Sequence, residues 1–170
     1  EALVASLLAL TQPFRVERQA LLLNSWLNER CQLHAETAQR LQVALAFEPS
    51  PSLDDAGAVA VIDPAQIGRA LDNLILNALS HTPPGGRVVA SSARSETGAL
   101  CIGVQDDGPG VLPEVREHLF EPFSTGRAGG TGLGLALVRE IVQAHKGSVK
   151  HTPVQPHGAR FTMEFPWPAC

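Results

Sequence analysis

Asp106-Asp107-Gly108-Pro109-Gly110 directly follows an alternating apolar segment in which Leu100, Ile102 and Val104 would face one side of a strand. Residues along a strand alternate between its two faces, so Asp106 continues the inward-facing row. One interpretation is a surface turn, since Asp, Gly and Pro are common turn formers. The other is an inward carboxylate that needs hydrogen-bond donors, beside glycines that let the backbone pass close to a flat ring.

A second glycine-rich run opens directly into a predicted helix. Gly129-Gly130-Thr131-Gly132-Leu133-Gly134-Leu135 precedes apolar positions at helical spacing over about 132–146, with Gly147 as the expected C′ residue. A glycine-rich turn at a helix N-terminus offers unpaired amides and the positive end of the helix dipole to an anion. The run therefore indicates phosphate binding. Rival fingerprints are missing, since the sequence contains neither G-x-x-x-x-G-K-[ST] nor G-x-G-x-x-G.

Asn73 and Asn77 lie one turn apart on a helix with clear boundaries. Asp63 is a predicted N-cap, Pro64 fits the first helical position, and the helix should end near Thr82. Residues i and i+4 project from one helix face. The two amides form a solvated face, a helix–helix hydrogen bond, or oxygen ligands for a hard cation such as Mg²⁺, which takes few protein contacts beside phosphates.

Together the three segments supply an acceptor for a base, oxygen ligands for a metal and amides for phosphates. These are the parts of a Mg-nucleotide site. An inward Asp106 would accept from the exocyclic amine of adenine, whereas guanine would present an oxygen to it. A buried pair of unsatisfied acceptors costs about 1–3 kcal/mol, a roughly 5- to 150-fold preference for adenine. The pattern therefore favours ATP.

The remaining segments predict an α/β two-layer sandwich, a mixed sheet with helices packed on one face. Helices are expected over 19–41, 64–82, 113–119 and 132–146, and strands near 42–48, 59–62, 87–94, 99–105, 148–152 and 159–165. Hairpin-length links between neighbouring strands favour antiparallel pairs over a doubly wound parallel sheet. Residues 1–14 are expected to end an upstream helix, and residues 15–170 to form the main domain.

Composition is that of an ordinary globular domain. The 170 residues are 44% hydrophobic and 18% charged, with a formal net charge of −4 and no basic run, which argues against nucleic-acid binding. No apolar run approaches the roughly 18 residues of a membrane span. Three widely spaced cysteines predict a reducing, cytoplasmic location, without zinc or a disulfide framework. A chain beginning at Glu1 is expected to be a fragment of a longer protein, which could itself be membrane-attached.

Four segments, in order, resemble the sequence boxes of bacterial sensor histidine kinases. Residues 73–78 resemble the N box, 106–110 the G1 box, 120–123 the F box and 130–135 the G2 box. The resemblance covers about residues 15–166. It implies the Bergerat ATP-binding fold shared by gyrase, heat-shock chaperones, histidine kinases and mismatch-repair proteins.

The resemblance implies a role for each matching residue. Asn77 would be the Mg²⁺ ligand with Asn73 assisting, as the catalytic pair. Asp106 would bind adenine, with Gly108 and Gly110 beside the base and His81 as the aromatic neighbour of the nucleotide. The phosphate-facing hinge of the ATP lid would comprise Gly130, Thr131, Gly132, Leu133 and Gly134. Phe120 and Phe123 would anchor the near end of that lid.

The sequence departs from the family pattern at two positions. Ser80 stands where many members carry a Lys or Arg that reaches the phosphates, and Arg127 in the lid is the expected substitute. Lys146 stands at a place often held by glycine, which is interpreted as unimportant. The lid itself, about 124–131, is short.

Three functions fit the resemblance. A sensor-kinase catalytic domain would hold Mg-ATP and transfer the γ-phosphoryl group to a histidine elsewhere, by positioning and charge neutralisation. ATP hydrolases and chaperones of the superfamily place a water-activating glutamate where Asn73 stands. The helix over 64–82 has no glutamate, and Asp72 is rotated about 100° from that position. A nucleotide-binding regulatory scaffold is the third possibility, and the kinase is favoured.

The phosphoacceptor is expected outside this chain. No histidine here is followed by Glu or Asp, as the H box of the family requires. The implied partners are an upstream dimerisation domain that carries the histidine, a second copy in a full-length homodimer, and a response regulator receiver domain.

Overall fold

The computed structural model describes residues 15–50, 53, 59–124 and 132–167. Strands and helices are interspersed along this part of the chain. In chain order they are β1 (Gln19–Leu22), α1 (Leu23–Gln32), α2 (Ala35–Arg40), β2 (Ala44–Pro49), β3 (Val59–Ile62), α3 (Pro64–His81), β4 (Arg87–Arg94), β5 (Leu100–Asp106), α4 (Pro113–Arg116), α5 (Gly134–Ala144), β6 (Ser148–Pro153) and β7 (Ala159–Phe165).

The main sheet has five strands in the order β2-β4-β5-β7-β6. β2 pairs parallel with β4, and the other three pairs are antiparallel. The predicted mixed sheet is therefore confirmed. β1 and β3 form a separate antiparallel ribbon.

One face of the main sheet carries the hydrophobic core. Ile102 and Val104 of β5 and Phe161 and Met163 of β7 are buried on this face. α3 and α5 contact each other, and each also contacts the sheet. Asp106 ends β5 on the same face, opposite Ala159 of β7. The register thus brings the acidic strand end to the edge of the apolar core.

α3 forms where its boundary signals predict. The Asp63 side chain accepts hydrogen bonds from the backbone N–H groups of Ala65 and Gln66, at 3.0 Å each. Pro64 occupies the first helical position, where its missing N–H costs nothing. The helix ends at His81 because Thr82 precedes a proline and takes an extended conformation.

The prediction of one helix over 19–41 is wrong. Residues 19–22 form β1, because they pair with β3 from Gln19 opposite Ile62 to Leu22 opposite Val59. The helical stretch that follows is interrupted between α1 and α2, where His34 leaves helical geometry. Long-range pairing with β3 overrides the local helical spacing of β1.

The end of α5 also differs from its prediction. Lys146, not Gly147, takes the left-handed conformation, with a φ of 61°. The N–H of Gly147 closes the helix end by donating to the Val142 carbonyl at 2.9 Å, while Lys146 N–H donates to Gln143. Lys146 is therefore the C′ residue. α4 is shorter than the predicted 113–119, and the expected helix end over 1–12 lies outside the described residues.

None of the described helices is both long enough and apolar enough to cross a membrane.

Candidate functional site

Asp106 is a buried carboxylate at the end of β5, with only 4% of its surface exposed. Its Oδ1 accepts from the backbone N–H of Gly108 at 2.9 Å, and the backbone N–H of Ala159 is a second donor. Burial raises the pKa of the carboxyl above its ordinary value; these two donors and His81 lower it in part, and Asp107 raises it further. A carboxylate has about four acceptor positions. Capacity therefore remains for an external donor.

Gly108 has no side chain, and the Asp106 carboxylate lies where a side chain would otherwise be. A Cβ on Gly108 would lie 2.8 Å from the Asp106 Oδ1 and 2.9 Å from the His81 carbonyl oxygen. Such separations are too short for any side chain. The absence of a side chain thus lets the end of α3, the loop after β5 and the carboxylate meet. The structure brings Asp106, Gly108 and His81 together.

Asn73 joins α3 to the start of α5. Its Nδ2 donates to the Arg69 carbonyl at 2.8 Å, which fixes the amide with its oxygen directed away from α3. That Oδ1 lies 3.1 Å from where a Cβ on Gly134 would be. The predicted metal helix and the predicted phosphate turn are therefore neighbours. An amide oxygen held this way is a fitting donor for a hard cation.

Asn77 is half-buried one turn further along α3. Its backbone carbonyl accepts from the Ser80 hydroxyl at 2.8 Å and from His81 Nδ1 at 2.7 Å. The His81 ring is exposed and held against the last turn of α3. This position suits a ring that lies beside a ligand, while Ser80 supplies no positive charge.

Asp72, the only acidic residue within α3, is already engaged. Its two carboxylate oxygens accept from the Nε and Nη2 of Arg30, and His34 Nε2 lies 2.8 Å from Oδ1. We call this group the Arg30–Asp72–His34 clamp. It ties α1 to α3. A carboxylate held by these partners is not placed to activate water, which argues against the hydrolase alternative.

The two ends of the predicted lid meet at its base. The N–H of Phe123 donates to the Gly132 carbonyl at 3.0 Å. Both residues have positive φ, 65° in each case. A Cβ on Gly132 would lie 2.5 Å from the Phe123 carbonyl carbon, so only glycine fits there. Arg127, Gly130 and Thr131 lie outside the described residues.

The two phenylalanines of the F box differ in environment. Phe120 is half-buried and packs edge-on against Phe161, with ring centroids 6.2 Å apart and planes at 87°. Phe123 is 62% exposed. Phe120 therefore contacts the core through its side chain, whereas Phe123 holds the lid base through its backbone. Leu133 is buried at 1% exposure beside this base.

Sequence reasoning missed two contributors, Gly158 and Ala159. Ala159 donates to Asp106 through its backbone, and Gly158 packs against the same strand end. The residue type at a position does not indicate whether its backbone N–H donates to a functional side chain. Only the strand register, which sets Ala159 opposite Asp106, could have indicated it.

The proteins that this chain resembles belong to families in which such an arrangement of residues is expected. The family model described as histidine kinase-, DNA gyrase B- and HSP90-like ATPase matches residues 62–169. The sensor histidine kinase ZraS of Salmonella typhi is 34% identical over 163 residues, which are 96% of this chain and 34% of ZraS. WalK, a sensor histidine kinase of Bacillus subtilis, is 37% identical over 123 residues, 68% of this chain and 20% of WalK.

Solved structures give the same result. Full-length ShkA in complex with AMPPNP has a TM-score of 0.83 at 25% identity, over 97% of this chain and 35% of ShkA. The catalytic domain of the histidine kinase ThkA has a TM-score of 0.77 at 28% identity, over 88% of this chain and 95% of that domain.

The chain belongs to the histidine kinase-, DNA gyrase B- and HSP90-like ATPase family. Within that family it is an ATP-binding catalytic domain of the sensor histidine kinase type. It spans about a third (34%) of the length of the ZraS relatives that it matches.

Proposed function

We propose that this chain binds Mg-ATP and presents the γ-phosphoryl group to a histidine in an upstream helical domain of the same protein. The observation that carries the proposal is the buried Asp106 carboxylate, whose donors are two backbone N–H groups. Burying an ionised carboxylate costs folding free energy, and such perturbed groups are common at ligand-binding sites. The exocyclic amine of adenine is the donor that matches it.

The metal ligands in this proposal are the side-chain oxygens of Asn77 and Asn73. The Nδ2 of Asn73 is committed to Arg69, so its oxygen is the atom left for a ligand. Two neutral amides suit a cation whose charge is already balanced by phosphates. Bound Mg²⁺ would neutralise charge on the phosphates during transfer. Gly134 places the backbone at the start of α5 next to Asn73 of the same helix.

Transfer to a histidine, rather than to water, follows from what surrounds Asn73. An amide cannot take a proton from water. The neighbouring Asp72 is held by Arg30 and His34. Neither Asn73 nor Asp72 is therefore placed as a general base, and ATP is spared for transfer. Arg127 of the lid is the proposed replacement for the basic side chain missing at Ser80.

The partners are proposed from the same family membership. ThkA, 25% identical and with a TM-score of 0.80, has been crystallised in complex with the response regulator protein TrrA. We expect a response regulator receiver domain to accept the phosphoryl group from this protein too. We also expect the upstream helices to form a homodimer and carry the phosphoacceptor histidine.

Calorimetry with the purified chain tests the proposal. ATP should bind more tightly than GTP, and Mg²⁺ should strengthen ATP binding. Asn77→Ala should weaken binding in Mg²⁺ more than binding in EDTA, because only the first depends on the metal ligand. Asn28→Ala is the matched control, since Asn28 is an exposed amide on α1. Absence of adenine-nucleotide binding by folded protein would refute the proposal, and equal losses with and without Mg²⁺ would remove the metal role.

A further inference from the structure

We infer that the turn between β6 and β7, through Gly158 and Ala159, supports the base site from behind and positions Asp106 to select adenine. This inference rests on the proposed function. It assigns to this turn a specificity role that acts through the main chain.

The first observation is a contact without room for a side chain. A Cβ on Gly158 would lie 2.2 Å from the Asp106 carbonyl oxygen. Gly158 also has a φ of 120°, which side chains disfavour. The backbone of the turn therefore rests directly on the backbone of Asp106. Any side chain at position 158 would push the turn away from the Asp106 backbone at the end of β5.

The second observation is a hydrogen bond from the next residue. The backbone N–H of Ala159 donates to the Asp106 carboxylate, and Ala159 is the strand partner of Asp106. Hydrogen bonds to a charged group are among the stronger ones in proteins. The donor that aims the carboxylate thus shares a peptide group with Gly158. A shift of Gly158 therefore moves this donor relative to its acceptor on Asp106.

The third observation is that the loop after β5 rests on the same turn. A Cβ on Gly110 would lie 3.1 Å from the Gly158 carbonyl oxygen. The Gly158 carbonyl also accepts from the Val154 N–H at 3.2 Å, which closes the turn on itself. Gly158 therefore supports both the carboxylate and the glycine loop predicted to pass the base. The turn acts as a rigid support rather than as a ligand contact.

Gly158→Ala is the direct test, with Gly98→Ala as the matched control. Gly98 also has a positive φ, 83°, but nothing lies within 4 Å of a Cβ placed there. Both variants carry backbone strain, and only Gly158→Ala displaces Asp106. We expect Gly158→Ala to lose about 10-fold or more in ATP affinity, the effect of one lost hydrogen bond to a charged group, and most of its preference for ATP over GTP. Gly98→Ala should keep both.

A pH profile separates positioning from general destabilisation. The charged and polar groups around the carboxylate are His81 from α3, Asp107 in the following loop, and the N–H groups of Gly108 and Ala159. Weakening the Ala159 donor removes one group that lowers the pKa of Asp106. The loss of ATP affinity on acidification should therefore begin at a higher pH in Gly158→Ala than in the wild type. A variant that is merely less stable would keep the wild-type profile at temperatures where it is folded.

Gly110→Ala is the second variant if Gly158→Ala does not fold, because its Cβ presses on the Gly158 carbonyl from the other side. It should reduce the ATP-over-GTP preference by a smaller factor. Unchanged selectivity in a folded Gly158→Ala or Gly110→Ala protein would overturn the inference and leave the proposed function intact. A wild-type chain that does not distinguish ATP from GTP would instead refute base reading by Asp106.

Discussion

Phe123 and Gly132 are joined by a backbone hydrogen bond of 3.0 Å across the base of the predicted ATP lid. Each residue is in the left-handed conformation. The lid therefore leaves and re-enters the domain at one point, next to the start of α5. The main chain at this closure holds the two ends of the lid together, so sequence changes at the closure should matter more than changes of side chains elsewhere on the surface.

Gly132→Ala should open this closure. A left-handed alanine costs roughly 1–2 kcal/mol, and its Cβ would also meet the Phe123 backbone at 2.5 Å. We expect a lower melting temperature and weaker ATP binding, measured by thermal unfolding and calorimetry. Gly85→Ala is the control, because Gly85 has a φ of 85° with nothing within 4 Å of a Cβ. Equal effects of the two substitutions would show that the closure has no special role.

Asp106→Asn should make the folded protein more stable at neutral pH and weaken its binding of ATP. The raised pKa of Asp106 means that the folded protein holds this proton more tightly than the unfolded chain does. Its ionised form therefore costs stability at neutral pH, and the cost fades as the pH falls toward the ordinary carboxyl value of about 3.9. We expect a higher melting temperature than the wild type at neutral pH, a difference that shrinks on acidification, and lower ATP affinity.

Thermal unfolding of the ligand-free proteins over a range of pH checks the stability part of this prediction. Glu96→Gln is the control, since it makes the same chemical change in the exposed turn between β4 and β5. If the difference in melting temperature between Asp106→Asn and the wild type does not depend on pH, ionisation of Asp106 does not lower the stability of the folded protein. Unchanged preference for ATP over GTP would show that the base is read elsewhere.

Arg30→Ala should destabilise the fold without changing base selectivity. The substitution removes two donors from Asp72, whose side chain is 25% exposed. Losing partners of a partly buried charge costs about 1–3 kcal/mol of unfolding free energy. Urea denaturation measures this loss, and Arg40→Ala, at the exposed end of α2, is the control. The clamp would have no stabilising role if both variants unfolded at the same urea concentration.

Lys146→Gly should stabilise the protein. Lys146 takes a φ of 61° at the end of α5, a conformation in which a side chain is disfavoured. Glycine should recover up to about 1 kcal/mol of unfolding free energy, offset in part by its larger entropy when unfolded. Lys146→Ala keeps the strain and should gain nothing, as chemical denaturation can show. A gain of the same size in both variants would point to the lysine charge instead.

Local signals predicted most of the fold, because most elements carry their own boundaries. α3 was predictable from its Asp63 cap, Pro64 and apolar stripe. β1 was not, because residues 19–22 become a strand only by pairing with residues 59–62. The end of α5 was assigned to Gly147 because glycine is the usual left-handed residue, whereas the chain places Lys146 there.

The candidate site divides along the same line. Residues that follow a helical or strand periodicity could be predicted. Asn73 and Asn77 follow the helical spacing, and Asp106 follows the alternation of its strand. Their roles as ligands stay predictions. The backbone donor of Ala159 could not be found this way, since a main-chain N–H has no residue type. The anchoring expected of both phenylalanines differs between them, because Phe120 is half-buried and Phe123 is exposed.

The order β5-β7-β6 inserts β7 between two strands that precede it in the chain. During synthesis, β5 thus has no neighbour on one side until residues 159–165 have left the ribosome. Until then its free edge offers unpaired backbone groups to other chains, which favours aggregation. A prematurely terminated product would keep α3 yet lack the strand that completes the predicted base site. Quality control of the nascent chain therefore bears directly on whether this domain can bind its nucleotide.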